Sequence, residues 1–327
     1  MMRKFNKNES LIAIFGLFVL LLAAMVISLF LGSVFIPPGD LWGSEILWQI
    51  RLPRVVLAAL IGLLLSVSGV ILQGTLRNPL ADPYILGISA GAGVGASISI
   101  ALGAQFVIFG MSSVPATAFL FSLISVIVVY KLSQVSGKTS PETLILAGVA
   151  LSAFCAAILA LIIIITGNLQ SIYFWLLGSL SSASWSNVTT VLPYCIVGAG
   201  AAYFFSKELN ALLLGEEMAQ TLGVDVENTR FVLVGAASLM TAAAVSVSGI
   251  IGFVGLIIPH WMRLIIGPNH RLLIPVSALS GMVLMVLADT ISRTVLSPME
   301  VPIGIIMALV GAPFFLYLLR RRRTEGK

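Results

Sequence analysis

Nine stretches of this chain, near residues 11–35, 55–75, 84–103, 107–130, 143–166, 188–206, 231–262, 272–292 and 302–319, run for about 20 residues or more with scarcely a charge. A helix needs about 20 such residues to cross the hydrocarbon of a bilayer. In hydrocarbon every backbone N–H and C=O must be bonded within the protein, which leaves helices and closed barrels. The runs lack the apolar–polar alternation of barrel strands, so the pattern specifies an all-α membrane protein. Composition agrees: 59% of the 327 residues are hydrophobic and 9% are charged, against about a quarter charged in a soluble domain.

Eight runs have the length of one span. The exception, Phe231 to Met262, is too long for one crossing and too short for two full ones with a turn. It is expected to form one full helix, a turn at Gly249, Gly252 and Gly255, and a short helix returning towards Pro259. That makes ten transmembrane helices, with both termini on the same side. Of the 18 basic residues, 15 then share the side of the termini, and Arg51, Arg54 and Arg293 stand alone on the other. The excess of positive charge marks the termini as cytoplasmic, whereas nine crossings would strand Arg320–Arg323 outside. The N-terminal pattern of Arg3, Lys4 and Lys7 before Leu11–Leu31 reads as an uncleaved first span. Its apolar stretch exceeds a signal peptide's core of about 7–15 residues, and no small-x-small site precedes Pro37-Pro38. Residues 1–327 are treated as a single polytopic domain without an internal repeat.

The formal charge of +5 does not indicate nucleic acid, because the basic residues lie between apolar runs and in the Arg320–Arg323 cluster, where they anchor the cytoplasmic face. Cys155 and Cys195 sit inside apolar runs at no metal spacing and read as packing residues. Gly91-Ala92-Gly93-Val94-Gly95 lacks the spacing and the preceding strand of a dinucleotide fingerprint. Gly137-Lys138-Thr139 lacks the first glycine of a phosphate loop, since Leu132 stands there. No ATPase site, cofactor or metal is expected in this chain. No carboxylate falls at a span centre; Asp289 is nearest, four residues before Arg293, the spacing of a local ion pair. Ion-coupled carriers place ionisable groups at mid-membrane, so such a carrier is the weaker alternative. No nucleophile set appears, and His260 and His270 lack evident co-ligands, which argues against an intramembrane enzyme. Gly87, Gly91, Gly95, Ser99 and Gly103 recur every four residues, as do Gly304, Ala308 and Ala312. Small residues so spaced let helices approach closely in lipid; the second set serves either internal packing or a subunit interface.

The segment Lys207–Arg230, KELNALLLGEEMAQTLGVDVENTR, stands apart from the spans. Leu212, Leu213, Met218 and Leu222 are expected on the apolar side of two short helices broken at Gly215 and Gly223. Such an element fits a groove on a cytoplasmic partner or rests on lipid headgroups. Glu216, Glu217, Asp225 and Glu227 make it acidic, which disfavours anionic lipid.

Around Gly215-Glu216-Glu217-Met218-Ala219 and Leu222-Gly223-Val224 this segment resembles the coupling loop of ATP-binding-cassette permeases. Further segments resemble the FecCD permease family, whose members import iron-siderophore chelates, haem and cobalamin. They are Arg51-Leu52-Pro53-Arg54, Arg77-Asn78-Pro79-Leu80-Ala81-Asp82-Pro83 with Gly87, Gly249 to Arg263, His270-Arg271, Leu287-Ala288-Asp289, Pro302-Ile303-Gly304 and Gly311-Ala312-Pro313, in order from about residue 11 to 320.

The resemblance implies a type II importer permease of the cytoplasmic (inner) membrane, dimerising with itself or with a paralogous permease around a central pathway. Two ATPase subunits, which use the ATP, would dock on the coupling residues Gly215, Glu216, Glu217, Met218, Ala219, Leu222 and Gly223. A soluble binding protein would deliver an iron(III)-siderophore, or alternatively cobalamin or haem. Family arginines on the outer face pair with the binding protein's glutamates, and Arg51, Arg54 and Arg293 occupy the matching positions. On the residues alone, interfacial snorkelling explains them equally. The segment Lys138–Thr143 matches the family's cytoplasmic gate, with Thr139 and Ser140 as its candidate residues. The Arg77–Pro83 motif reads as a tight turn.

Overall fold

The computed structural model describes residues 7–32, 43–108, 110–135 and 138–325. Arg3, Lys4, Pro37-Pro38, Gly137 and Lys327 lie outside the described residues, as do the side chains of Lys7, Lys138 and Arg320–Arg323. The helices are α1 (Lys7–Phe30), α2 (Leu52–Thr75), α3 (Ile88–Ala101), α4 (Ser113–Ser133), α5 (Pro141–Thr166), α6 (Leu169–Leu176), α7 (Trp185–Phe204), α8 (Ser206–Leu212), α9 (Glu216–Thr221), α10 (Val226–Ser248), α11 (Val254–Ile266), α12 (His270–Thr294) and α13 (Ile303–Glu325). A π-helical turn, Ile46–Arg51, leads into α2, and a 3-10 turn, Pro83–Leu86, leads into α3. Two antiparallel hairpins interrupt the helices: β1 (Val107–Ile108) with β2 (Met111–Ser112), and β3 (Gln134–Val135) with β4 (Lys138–Thr139), the latter pairing Gln134 with Thr139.

Seven helical segments are long and apolar enough to cross a membrane: 8–30, 46–75, 113–133, 141–166, 185–204, 226–248 and 270–294. Three shorter apolar helices cover 88–101, 254–266 and 303–316. The long run after Phe231 breaks where its glycines stand. The α10 helix stops at Ser248, Gly249 takes φ +68° and Phe253 φ +70°, and α11 begins at Val254.

The centre is α2, buried along nearly its whole length. Its glycines show why. A Cβ on Gly62 would lie 2.1 Å from the Gly281 carbonyl oxygen of α12, and one on Gly69 would lie 2.0 Å from that of Gly255 in α11. Only glycine allows backbones this close, and the close approach supplies the packing that lipid does not drive. Hydroxyls inside the bundle are satisfied locally: Ser68 donates to the Leu65 carbonyl and Thr241 to that of Ala237, one helical turn back.

The small-residue faces are shorter than the spacing suggests. Gly91 and Gly95 pack against Ser125 and Thr117 of α4, but Gly87 (φ +75°) and Gly103 (φ +56°) lie beyond the ends of α3 and serve as turn residues. In α13, Gly304 packs on the Leu177 carbonyl, whereas Ala308 and Ala312 are exposed. The flank of α5 is exposed as well, with Leu146, Phe154, Leu161 and Ile164 uncovered.

Candidate functional site

Side-chain contacts sort the molecule into two ends, one around Arg54 and one around Arg230, with α2 and α12 running antiparallel between them. At the Arg54 end, Arg54 Nε donates to Asp289 Oδ1 at 2.9 Å, and its two terminal nitrogens clasp Glu300 at 2.8 and 3.1 Å. Arg293 donates to the carbonyl and hydroxyl of Ser28, and its Nε lies 3.4 Å from Asp289 Oδ2. Arg51 donates to the Leu29 carbonyl at 2.7 Å. The structure thus brings the three singled-out arginines together, but it turns them inward: they are only 4, 6 and 4% exposed for Arg51, Arg54 and Arg293, and Asp289 is wholly buried. An arginine this far from water needs carboxylates and carbonyls to replace its hydration. The expected Asp289–Arg293 pair forms, with Arg54 as the closer partner. Nothing in the local sequence revealed that Arg54 would meet carboxylates 235 and 246 residues away.

Next to this cluster lies a cavity of about 800 Å³ between α6, β1–β2, the 179–187 segment, the end of α10 and the start of α13. Nine serines line it, among them Ser179, Ser182, Ser184, Ser246 and Ser248, together with Asn187 and Trp175. Glu300 is the charged residue of this lining among the described residues. Several helices break here at once. Ser179 N–H donates to the Ser248 carbonyl (2.8 Å), Ile303 N–H to that of Gly178 (2.9 Å), and Gly304 N–H to that of Leu177 (3.1 Å). In a membrane bundle, irregular backbone is tolerated where it is buried in protein or lines a cavity. The wall therefore offers neutral donors and acceptors and a single carboxylate. This site was not among those expected from the sequence, although the run Ser179–Ser186, with serine at five of eight positions, is its visible sign.

At the Arg230 end the two expected short helices form, with Gly215 (φ +113°) and Gly223 (φ +83°) bounding α9. Asp225 caps α10 by accepting from the Asn228 N–H at 3.1 Å. Leu212 and Ala219 turn inward with Ala211 and Val226 to form a small core of their own. Leu213, Leu214, Met218 and Leu222 are exposed beside Glu217. The apolar side is therefore shifted from the expected one: Leu212 leaves it and Leu214 joins it. The α8 helix is moored to α12, where the Asn210 side-chain oxygen accepts from the His270 N–H at 2.9 Å.

Arg230 is 1% exposed and donates to Glu216 of α9, to Glu227 of α10 at 3.0 Å, and to the Thr139 carbonyl of β4. The Thr139 N–H in turn donates to Glu227 Oε2 at 3.3 Å. Thr139 is buried. Ser140 caps α5, accepting from the Thr143 N–H at 3.2 Å. Glu216 and Thr139, 77 positions apart, are thus brought together through Arg230, which the sequence marked only as a basic charge. The Arg77–Pro83 motif is the tight turn expected of it: Asn78 accepts from the Leu80 N–H (3.0 Å) and Asp82 from the Tyr84 N–H (2.9 Å). It also has a tertiary role, because the Tyr84 hydroxyl donates to the Ile251 carbonyl and accepts from the Ile251 N–H, pinning the break between α10 and α11.

The chain is similar to proteins with a consistent role. The model of the FecCD transport family matches residues 20–321. The cobalamin import system permease protein BtuC of Halobacterium salinarum is 47% identical over 86% of this chain and 75% of that protein. The hemin transport system permease protein HmuU of Yersinia pestis is 38% identical over 94% of this chain and 95% of that protein. Among solved structures, an inward-facing conformation of a transporter assigned to the metal-chelate type of ABC transporter matches with a TM-score of 0.85 at 35% identity, over 94% of this chain and 98% of that one. With the family model covering nearly the whole chain and the bundle superposing on a relative of the same kind, the chain belongs to the FecCD transport family.

Proposed function

We propose that this chain is the membrane-spanning permease subunit of an ATP-binding-cassette importer for a metal chelate. It would work in the cytoplasmic membrane as a dimer with two ATPase subunits and a soluble binding protein. The observation that carries this reading is the likeness, end to end, to a metal-chelate type ABC transporter. Seven long and three shorter apolar helices supply ten crossings. Phe30 lies beside Arg51 at the Arg54 end, and α13 starts there, next to Glu300, which supports both termini at the Arg230 end, the cytoplasmic side. The exposed Leu213, Leu214, Met218 and Leu222 then form the ATPase-docking patch, and the 138–143 segment the inner gate. On the outer face the binding protein would rest on ground braced by Arg51, Arg54 and Arg293, with Glu300 and Glu45 among its accessible charged groups.

The serine-lined cavity would receive the chelate. A large polar ligand that must leave again is better served by many weak neutral hydrogen bonds than by a tight ion site. An iron(III)-siderophore is the first candidate; cobalamin is the second, favoured by the 47% identity to a cobalamin import permease. The test is uptake into proteoliposomes holding the permease, its ATPase and its binding protein, with ferric siderophore, cobalamin and haem compared. Accumulation should require ATP. Uptake that ignores ATP depletion but collapses with an uncoupler would identify an ion-coupled carrier and overturn the reading.

A further inference from the structure

The Arg230 cluster joins three separate pieces of chain. On one side is α9, which is held by its short loops, by Ala219 in the small core, and by Glu216 on Arg230. On another is the first turn of α10, through Glu227. On the third is β4, whose Thr139 gives both backbone groups to the cluster, the N–H to Glu227 and the carbonyl to Arg230. The β3–β4 hairpin is tied in turn to the start of α5, because the Thr143 hydroxyl donates to the Ser133 carbonyl at 2.9 Å and Ser140 caps the helix.

The three partners differ in how readily they let go. Arg230 has almost no access to water, whereas the Glu216 and Glu227 side chains are 37 and 38% exposed. Either carboxylate can exchange its ion pair for water at small cost, but the guanidinium cannot lose all its partners without large cost. Arginine suits this place because its rigid planar fork serves several acceptors at once, which the single ammonium of a lysine does not.

We propose that Arg230 is a positioning residue that transmits displacement of α9 to the β3–β4 hairpin and the start of α5. With α9 in place the guanidinium is shared between Glu216 and Glu227. When α9 moves away, the guanidinium closes on Glu227, and the Thr139 peptide that both of them hold shifts with it. The consequence for transport rests on the reading of α9 as the ATPase-docking element; the mechanical link rests on the chain alone.

The two are tested separately. In the full-length permease in lipid nanodiscs, hydrogen exchange of segments 134–143 and 216–221 is compared among the parent protein, Arg230→Gln, Arg230→Lys and Glu216→Gln. Arg230→Gln should raise exchange about tenfold or more in both segments, and Arg230→Lys should do so to a lesser degree. Glu216→Gln should loosen 216–221 and leave 134–143 protected. In proteoliposomes with the partner ATPase and binding protein, Arg230→Gln should keep ATP hydrolysis within about twofold while chelate taken up per ATP falls about tenfold. Should Arg230→Gln fail to fold, Arg230→Lys and Glu216→Gln carry the same comparison. Unchanged exchange at 134–143 in both Arg230 variants, or uptake falling only in proportion to ATP hydrolysis, overturns the proposal. Undiminished ATPase binding by a Leu213→Ser, Met218→Ser, Leu222→Ser variant would instead overturn the docking reading, leaving exchange to decide the link.

Discussion

The two ends of the molecule each bury an arginine between two carboxylates, and they use the same chemistry for opposite purposes. Arg54 meets Asp289, which is wholly buried on the central α12 helix, and Glu300 closes the other side of its fork. One of its partners, Asp289, belongs to the packed core and also faces Arg293, so the cluster braces that end whatever the more exposed Glu300 does. Arg230 meets Glu216 and Glu227, both more than a third exposed, one of them on a six-residue helix outside the main bundle. A buried ion pair in a rigid frame fixes a structure; the same pair with one partner on a loosely held helix can report where that helix is. What separates brace from link is the water available to the carboxylates and the packing behind them.

Substitutions should bring out this difference in graded steps. The largest effect is expected at Asp289→Ala, which leaves Arg54 and Arg293 buried without their common partner. It should cost about 3–5 kcal/mol, read as a lower denaturation midpoint. Arg230→Gln should cost less, about 1–3 kcal/mol, because the carboxylates it releases are rehydrated where they stand. If the two substitutions destabilised equally, the contrast between the ends would be lost. Glu300→Gln removes one exposed arm of the Arg54 fork, and a loss of about 0.5–1 kcal/mol is expected. It also takes the charge from the serine-lined cavity, so any change in chelate preference measured in uptake would bear on that site. The smallest effect is that of salt. Raising ionic strength from about 0.05 to about 0.5 M should speed exchange in 216–221 severalfold while peptides around Asp289 stay unchanged, since screening reaches exposed pairs and spares buried ones.

Structure is legible in this sequence wherever the determinant is local. Apolar runs became helices because each run satisfies its own backbone. Gly215 and Gly223 ended the short helices as anticipated because a positive φ is cheap for glycine and costly for other residues. The Asp289–Arg293 pair was visible as a one-turn spacing. The misses share a different cause. The burial of Arg51, Arg54 and Arg293 depends on α1, α2 and α12 converging, and the meeting of Thr139 with Arg230 depends on a hairpin folding over the start of α10. Neither leaves a trace in periodicity. The extended small-residue face of α3 misled for a related reason. A spacing of four cannot distinguish Gly91, which touches α4, from Gly103, which merely ends the helix.

The close approach of Gly62 to Gly281 has a bearing on how such a machine can be measured. Two helices whose backbones touch at paired glycines meet larger side chains as soon as one slides along the other, so α2 and α12 are expected to keep their separation at this point through whatever cycle the protein performs. Probes placed on this pair would form an internal ruler of constant length. Distances from it to α5, to α9 or to α13 would then register true displacement, free of the tumbling and tilting of the molecule in its bilayer.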